Sequence, residues 1–259
     1  MSQTRVTLNG LRHYVCNGVP KPLPSVTSIL STAQTEKTRQ KLATWNLLNP
    51  GVADQAAERG TWIHGSAENY LKGLRVVPPE KYKPYWDGVP ELLDNLLKGG
   101  RVLWSEKPFN QPKWSKYVGD DGVGRIHYYD PVTGHGYAGC CDLIYMNENA
   151  EIILADFKTS NGPYAAKFPR KEQAMSEEIR KALVSGVFKV KKTRLQLAAY
   201  KAAAESCLGI KINKTQIIVA TAIKEFNTQI FTFGPEEIER DEESWFEVVK
   251  QYYDMQQVT

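Results

Sequence analysis

The stretch of residues 137–160 constrains the fold more than any other, because it contains two strand-forming runs around one turn. Residues 138–146 and 151–157 are rich in β-branched, aromatic and aliphatic side chains, as β-strands are. Residues 147–150 between them read Asn-Glu-Asn-Ala, which is typical of a turn. The pattern predicts an antiparallel β-hairpin near the middle of the chain.

Two carboxylates occupy equivalent positions on this hairpin. Asp142 and Asp156 each lie seven residues from Asn149, so a hairpin centred there places them opposite each other. Like charges directly opposite repel, and a divalent cation held by carboxylate oxygens is the simplest counter-ion. Lys158 shares the strand face of Asp156, because side chains two positions apart point the same way. The alternative interpretation is an ordinary Asp–Lys pair on a solvated strand.

A helix is predicted before the hairpin, over residues 54–71. His64 and Glu68 are four positions apart and share one face, and Gly60 lies one turn earlier on the same stripe. A residue without a side chain at that point lets a backbone or a ligand approach closely. The face fits either a binding site or a hydrogen-bonded His–Glu pair at the edge of the core.

Helical patterns follow the hairpin over residues 172–187 and 193–208, which predicts two helices. The second is rich in Ala and Leu and carries Gln196 and Tyr200 on one face. Residues 215–223 then form a nearly continuous apolar run, typical of a strand covered on both faces. A strand of this kind indicates a buried sheet.

Basic side chains are concentrated in residues 165–194, which hold nine Lys or Arg and three Glu. The whole chain has a formal charge of only +4, so the excess is local. A patch of this kind predicts a polyanionic partner, although a solvated lysine-rich helix face has the same composition. Residues 111–136 are rich in Gly, Pro, Asp and Tyr and are predicted to form a loop or hairpin insertion. The insertion either covers a site or forms plain surface.

Length and composition narrow the class of protein. The chain has 259 residues, 42% hydrophobic and 24% charged, which fits a single globular domain over residues 1–259. No apolar run approaches the roughly 18–20 residues that cross a bilayer, and neither a signal nor a transit pattern begins the chain, so a cytoplasmic protein is expected. No C-x-x-C spacing supports a zinc site or a disulfide framework among Cys16, Cys140, Cys141 and Cys207.

Taken in order, these features resemble the P-D-(D/E)-x-K superfamily of nucleases, specifically its RecB-like branch. The matching features are a helix with His64 and Glu68, a strand with Asp142, a strand with Asp156 and Lys158, a helix with Gln196 and Tyr200, and an apolar strand. The motifs look most like those of the mitochondrial genome maintenance exonucleases and their phage-encoded relatives, in residues 24–27 (Pro-Ser-Val-Thr), 60–64 (Gly-Thr-Trp-Ile-His) and 156–160 (Asp-Phe-Lys-Thr-Ser). The resemblance implies an α/β (α+β) fold with a restriction-endonuclease-like core in the order αβββαβ, a central mixed sheet flanked by helices, with insertions.

This resemblance also implies a chemistry, that of a metal-dependent DNA exonuclease preferring single strands or free ends. One or two Mg²⁺ or Mn²⁺ ions would be held by Asp142, Asp156, His64 and the backbone carbonyl of Phe157. Lys158 would orient or activate the attacking water and stabilise the transition state. Glu68 would either bind metal or only orient His64.

The implied DNA contacts lie after the second carboxylate. Gln196 and Tyr200 would brace the site or contact the DNA backbone, and Thr159 and Ser160 would donate to phosphates. The interval from Lys158 to Gln196 is 38 positions, longer than the family leads one to expect. The basic segment 165–194 is therefore interpreted as an insertion or arch that grips a single strand, with phosphate contacts from Lys189, Lys191, Lys192 and Arg194.

Some RecB-like nucleases hold an iron–sulfur cluster with one N-terminal and three C-terminal cysteines. Here Cys140 and Cys141 adjoin Asp142, so no iron–sulfur cluster is expected. Two alternative functions remain, a structure-specific endonuclease on the same fold and a non-catalytic module that binds single-stranded nucleic acid. The intact set of Asp142, Asp156 and Lys158 argues against the second. DNA is the expected partner, no membrane partner is expected, and no protein partner is indicated.

Overall fold

The computed structural model describes residues 3–107, 112–170 and 175–257. The strands are β1 (Thr4–Leu8), β2 (Leu11–Val15), β3 (Leu23–Pro24), β4 (Arg101–Ser105), β5 (Ile126–Tyr129), β6 (Gly136–Gly139), β7 (Leu143–Met146), β8 (Ile152–Ser160), β9 (Lys214–Thr221) and β10 (Thr228–Phe233). The α-helices are α1 (Val26–Thr32), α2 (Glu36–Leu48), α3 (Val52–Leu71), α4 (Lys83–Trp86), α5 (Val89–Leu97), α6 (Glu177–Leu208) and α7 (Pro235–Gln257). Within these ranges no helix is long and apolar enough to cross a membrane.

A mixed five-stranded sheet with the order β10-β9-β8-β7-β4 forms the centre of the fold. The pairs β4–β7, β7–β8 and β9–β10 are antiparallel, whereas β8 and β9 are parallel and are joined through α6. With α3 before β4, the chain follows the order αβββαβ through α3, β4, β7, β8, α6 and β9. The predicted fold class, a central mixed sheet flanked by helices, is confirmed.

Helices cover both faces of the sheet, because alternate strand residues point to opposite sides. Leu154 and Ile217 belong to the apolar cluster that includes α6 and α7. Ile153 and Phe157 belong to the cluster that includes residues of α3, α4 and α5. Strand β8 therefore lies between α3 on one face and α6 on the other.

The basic segment continues into one long helix, where the sequence predicted two. Helix α6 has 32 residues; the side chain of Ser176 accepts from Ile179 N at its start, and Gly209 ends it in the left-handed conformation at φ 63°. The residues between the two predicted helices, Phe-Lys-Val-Lys-Lys at 188–192, include neither Gly nor Pro, so nothing interrupts the hydrogen-bond ladder. Residues 171–174 of the basic segment 165–194, and with them the first three residues of the predicted helix 172–187, lie outside the described ranges.

The predicted strand 138–146 is divided between two sheets. Its first residues belong to β6, which pairs with β5 as a separate hairpin, and its last belong to β7 in the central sheet. At Gly139 the backbone passes so close to Tyr200 that a Cβ would lie 2.6 Å from the tyrosine Cε1. The close packing of α6 against this point accompanies the departure of the chain from the central sheet.

The N-terminal strands form a small sheet, β1-β2-β3, beside β6. A β-bridge from Ser25 to Ala138 joins it to the rest of the fold. Strands β1 and β2 form a hairpin around Asn9 and Gly10, and both of these residues have positive φ. This placement brings β1 and β2 close to the point where β6 and β7 separate.

Candidate active site

Asp142 and Asp156 lie opposite each other where β7 begins. The last pair of residues between the two strands is Leu143 with Ala155, and one further step places the two aspartates across from each other. Strand β8 continues to Ser160 with β9 as its neighbour, but no described strand pairs with residues 156–160 on the other side. The predicted carboxylate pair therefore stands at a free edge of β8.

Asp142 accepts hydrogen bonds from two different parts of the fold. Its Oδ1 is 3.2 Å from His64 Nδ1 on α3, and its Oδ2 accepts from Phe157 N at 2.7 Å. The N–H and C=O groups of one strand residue point to the same side, so the Phe157 carbonyl is also directed at this free edge. Burial opposes ionisation of Asp142, yet the nearby His64 holds its pKa below the usual value.

Asp156 has its partners on the α6 face of the sheet. It is 1% exposed, forms an ion pair with Lys158, and its Oδ1 accepts from Gln196 Nε2 at 3.1 Å. Gln196 Nε2 also lies 3.0 Å from the hydroxyl of Tyr200. Burial raises the pKa of Asp156 to about 6, although Lys158 opposes the shift. Gln196 thus donates to both Asp156 and the Tyr200 hydroxyl, and Tyr200 reaches the carboxylate only through Gln196.

The charge states of the two basic groups follow from their neighbours. Burial alone would lower the pKa of Lys158, but Asp156 and Asp142 outweigh burial and raise it. Burial would likewise lower the pKa of His64, but Asp142 raises it to about 8. At neutral pH both side chains are therefore cations that face buried carboxylates.

Glu68 and Thr159 lie at the margin of this group. Glu68 is on α3 one turn beyond His64 and lines the same small cleft, but its carboxylate pairs with Lys72. Thr159 lies next to Gly60 of α3. A Cβ built at Gly60 would lie 3.8 Å from the Oγ1 of Thr159. The predicted close approach at Gly60 is thus an approach of α3 to β8.

The other predicted DNA contacts fall into two groups. Ser160 accepts from Lys189 Nζ at 2.8 Å, so these two meet at the end of β8. Lys191 lies 5.6 Å from the ring centre of Phe168, and both Lys191 and Lys192 are exposed. Arg194 instead pairs with α7 residues, with Asp241 at 2.8 Å and Glu237 at 3.5 Å. Its charge is directed at a helix interface rather than at the carboxylates.

Glu106 is a site residue that the sequence did not single out. It follows β4 and lines the same cleft as His64 and Asp142. Burial and the charge of Asp142 raise its pKa. Glu106 directly follows β4, and β4 is the neighbour of β7 in the central sheet, which brings Glu106 to Asp142.

A cavity of about 280 Å³ opens beside the carboxylates. Its lining includes His64, Glu106, Asp142 and Tyr200, together with Arg5, Arg12, Tyr14, Asp121 and Arg125. Arg125 is paired with Asp121, whereas no carboxylate among the described residues pairs with Arg5 or Arg12. Asp121, Val123 and Arg125 of the segment 111–136, of which residue 111 lies outside the described ranges, therefore line this cavity.

The donor set suits a hard divalent cation. Two carboxylates, an imidazole and a backbone carbonyl face one free strand edge, and oxygen-rich sets of this kind suit Mg²⁺ or Mn²⁺. In the part of the chain that the structure describes, no group of three or more His, Cys, Asp or Glu side chains is arranged so that it could hold a metal ion. The carboxylates are paired with His64 and Lys158 instead, so a bound cation would have to displace these two charges.

Comparison with known proteins gives only distant structural likenesses. No protein-family model and no curated protein sequence matches the chain. A structure from Eubacterium rectale, described as a candidate exonuclease, is 12% identical, with a TM-score of 0.30 over 72% of this chain and 73% of that one. The structure of SSO0001 is 14% identical, with a TM-score of 0.27 over 73% of this chain and 84% of that one. Likenesses this low say nothing about the chemistry of the site.

Proposed function

We propose that the protein is a Mg²⁺- or Mn²⁺-dependent DNA exonuclease of the RecB-like branch of the P-D-(D/E)-x-K superfamily. It hydrolyses phosphodiester bonds in single-stranded DNA or at free DNA ends. The observation that carries the proposal is the meeting of Asp142 and Asp156 at the free edge of β8, with Lys158 beside Asp156 and His64 beside Asp142. No iron–sulfur cluster is part of the proposal.

Asp142, Asp156, His64 and the Phe157 carbonyl would hold the metal, which supplies charge stabilisation at the attacking and leaving oxygens. Lys158 has a raised pKa and stays protonated at neutral pH, so it acts as a cation toward the developing phosphate charge rather than as a proton acceptor. Gln196 donates to Asp156 and keeps this carboxylate oriented. Glu106 adds a further carboxyl group beside Asp142.

The preference for a single strand rests on the basic segment. Phe168 and Phe188 are 50% and 59% exposed, and their ring centres are 5.7 Å apart. Lys191 lies over Phe168, so an aromatic platform and a phosphate-binding charge occur together. Bases stack on exposed rings while lysines contact the backbone in proteins that hold single strands without reading sequence.

The preference for an end rests on the cavity beside the carboxylates. Residues of β1 and β2 line this partly open cavity, and its volume of about 280 Å³ lies at the small end of ligand pockets. Arg5 and Arg12 would neutralise a phosphate there. A space of this size would take the end of one strand, which is why we propose an exonuclease rather than a structure-specific endonuclease.

Labelled DNA tests the proposal. End-labelled single- and double-stranded DNA and closed circular single-stranded DNA are incubated with Mg²⁺, Mn²⁺ or EDTA. The wild-type protein should degrade linear DNA only with metal and leave circles intact. Lys158→Ala should reduce cleavage by at least about a hundredfold, since it removes a charge at the transition state. Lys250→Ala, at an exposed position of α7, is the matched control and should leave cleavage unchanged.

Each alternative function has its own outcome in the same assay. Cleavage of circular DNA with metal would replace the exonuclease with an endonuclease on the same fold. Binding of single strands without cleavage in any metal would leave a non-catalytic module. Cleavage in EDTA, or an undiminished Lys158→Ala protein, would overturn the mechanism itself.

A further inference from the structure

Arg59 on α3 is a buried cation that no carboxylate of the described residues pairs with. It is 9% exposed, and its guanidinium lies 4.7 Å from the ring centre of Tyr85. The Tyr85 hydroxyl donates to Asn161 Oδ1 at 3.0 Å, which fixes the ring against the chain after β8. Arg59 Nε has no hydrogen-bond partner, and no ion pair among the described residues includes Arg59. The charge is held in place but not neutralised.

A second cation reaches the same place from the opposite face of the sheet. Lys189 on α6 donates to Ser160 Oγ and lies 5.5 Å from the ring centre of Tyr164. Burial and the nearby charge of Arg59 lower the pKa of Lys189. No carboxylate in the described part of the chain pairs with it. Two like charges thus approach each other around the free edge of β8.

Such an arrangement is costly without an anion. A desolvated cation keeps its charge at low cost only when an opposite charge or hydrogen-bond acceptors compensate it. Here the compensating groups are two aromatic rings and one hydroxyl, none of which carries a negative charge. A phosphate fits, because Arg presents a planar fork of donors and Lys adds a point charge.

The position of Arg59 and Lys189 relative to the carboxylates indicates which phosphate of a strand they would bind. Ser160 lies two residues beyond Lys158 on β8, which corresponds to about 7 Å along a strand. Successive phosphates of a nucleic acid strand are separated by a similar distance. We infer that Arg59 and Lys189 form a binding site for the backbone phosphate next to the scissile one. This inference rests on the proposed function for the identity of the ligand, but not for the existence of the anion site.

The anion site is tested first with inorganic phosphate in EDTA. The melting temperature of the wild-type protein should rise with phosphate, against sodium chloride of equal ionic strength, because an anion that binds the folded state stabilises it. Arg59→Met and Lys189→Met should lose this rise, whereas Arg75→Met and Lys250→Met at exposed positions should keep it. Without phosphate, Arg59→Met should melt no lower than the wild type, since it removes a buried like charge.

A merely structural role for Arg59 would give the opposite pattern. Arg59→Met would then melt lower in phosphate-free buffer, and phosphate would raise its melting temperature as much as that of the wild type. Either result overturns the inference. Cleavage is not measured in this arm, so a protein that fails the nuclease test can still pass or fail here.

The second arm asks whether the anion is a nucleic acid phosphate. Single-stranded oligonucleotides carry one neutral methylphosphonate at successive positions, and binding is measured by anisotropy in EDTA. At one position, the neutral group should weaken wild-type binding by about tenfold, as expected for a lost charge-assisted contact. The same replacement should cost Arg59→Met almost nothing. An equal loss in both proteins would show that Arg59 does not contact that phosphate.

Discussion

His64 Nδ1 on α3 lies 3.2 Å from Asp142 Oδ1 at the entrance to β7, so an ion pair joins residues 78 positions apart. Burial would lower the pKa of His64, but Asp142 raises it to about 8. The same contact holds the pKa of Asp142 below its usual value despite burial. The pair therefore makes the stability of the metal-free protein depend on pH.

The first prediction concerns that dependence. The pKa of His64 rises from 6.5 in the unfolded chain to about 8 in the fold, so its contribution is complete below pH 6.5 and is lost as pH rises through 8. The shift corresponds to about 2 kcal/mol. Urea unfolding in EDTA at pH 6.5 and pH 9 should show this loss in the wild type, and His64→Gln should flatten it. A slope that persists in His64→Gln would assign the pH dependence to other groups.

The second prediction concerns metal binding. Mg²⁺ or Mn²⁺ at about a hundred times its dissociation constant should stabilise the wild type by about 2.7 kcal/mol, which raises the melting temperature by roughly 5–10 °C. Asp142→Asn should lose this rise, because one of the two facing carboxylates no longer carries charge. Asp254→Asn, an exposed change on α7, is the control that keeps it. An equal rise in both variants would place the metal elsewhere.

The register of the central hairpin was predictable because local chemistry determines it. The turn at Asn147 and the apolar runs on both sides fix the pairing, and the pairing fixes Asp142 opposite Asp156. Helical spacing likewise placed His64 on one face of α3. Spacing alone did not show that Glu68 pairs with Lys72, because His64 and Lys72 both lie four residues from Glu68 on the same helix face.

Long-range packing explains what the sequence left open. Arg59 is one residue before the Gly60 motif, but its role depends on Lys189, which is 130 positions later and on the other face of the sheet. Glu106 joins the site only because β4 is the neighbour of β7. The division of the strand at Gly139 depends on Tyr200, which belongs to a helix that follows it. No local pattern contains these pairings.

The third prediction uses that close approach. In Gly139→Ala the new Cβ would lie 2.6 Å from Tyr200 Cε1, so the buried ring must move. We expect a loss of about 1–3 kcal/mol of stability and a lower cleavage rate, because Tyr200 contacts the Gln196 side chain that orients Asp156. Urea unfolding and the labelled-DNA assay measure the two effects.

Gly65→Ala is the matched control for this substitution. Gly65 lies inside α3, and nothing comes within 4 Å of a Cβ at that position. Alanine there should raise stability by up to about 1 kcal/mol through helix propensity. Equal destabilisation by the two substitutions would mean that glycine flexibility, rather than the Tyr200 contact, sets the cost at Gly139.

The fourth prediction concerns the exposed lysines of α6. If Lys191 and Lys192 contact a single-stranded backbone, replacing both with Glu should weaken binding and reduce the slope of log K against log salt. Each contact contributes about 0.7 to that slope, so the reduction should be about 1.4. Anisotropy of a labelled single strand over a series of salt concentrations gives the slope directly.

Net charge alone would also weaken binding, and a charge-matched variant separates the two causes. Arg75→Glu with Lys250→Glu changes the formal charge by the same amount at exposed positions outside the basic segment. The slope of this control should stay close to that of the wild type, because the number of phosphate contacts is unchanged. If both double variants lose the same slope, the attraction is a property of the whole surface, and α6 does not guide the strand to Asp142 and Asp156.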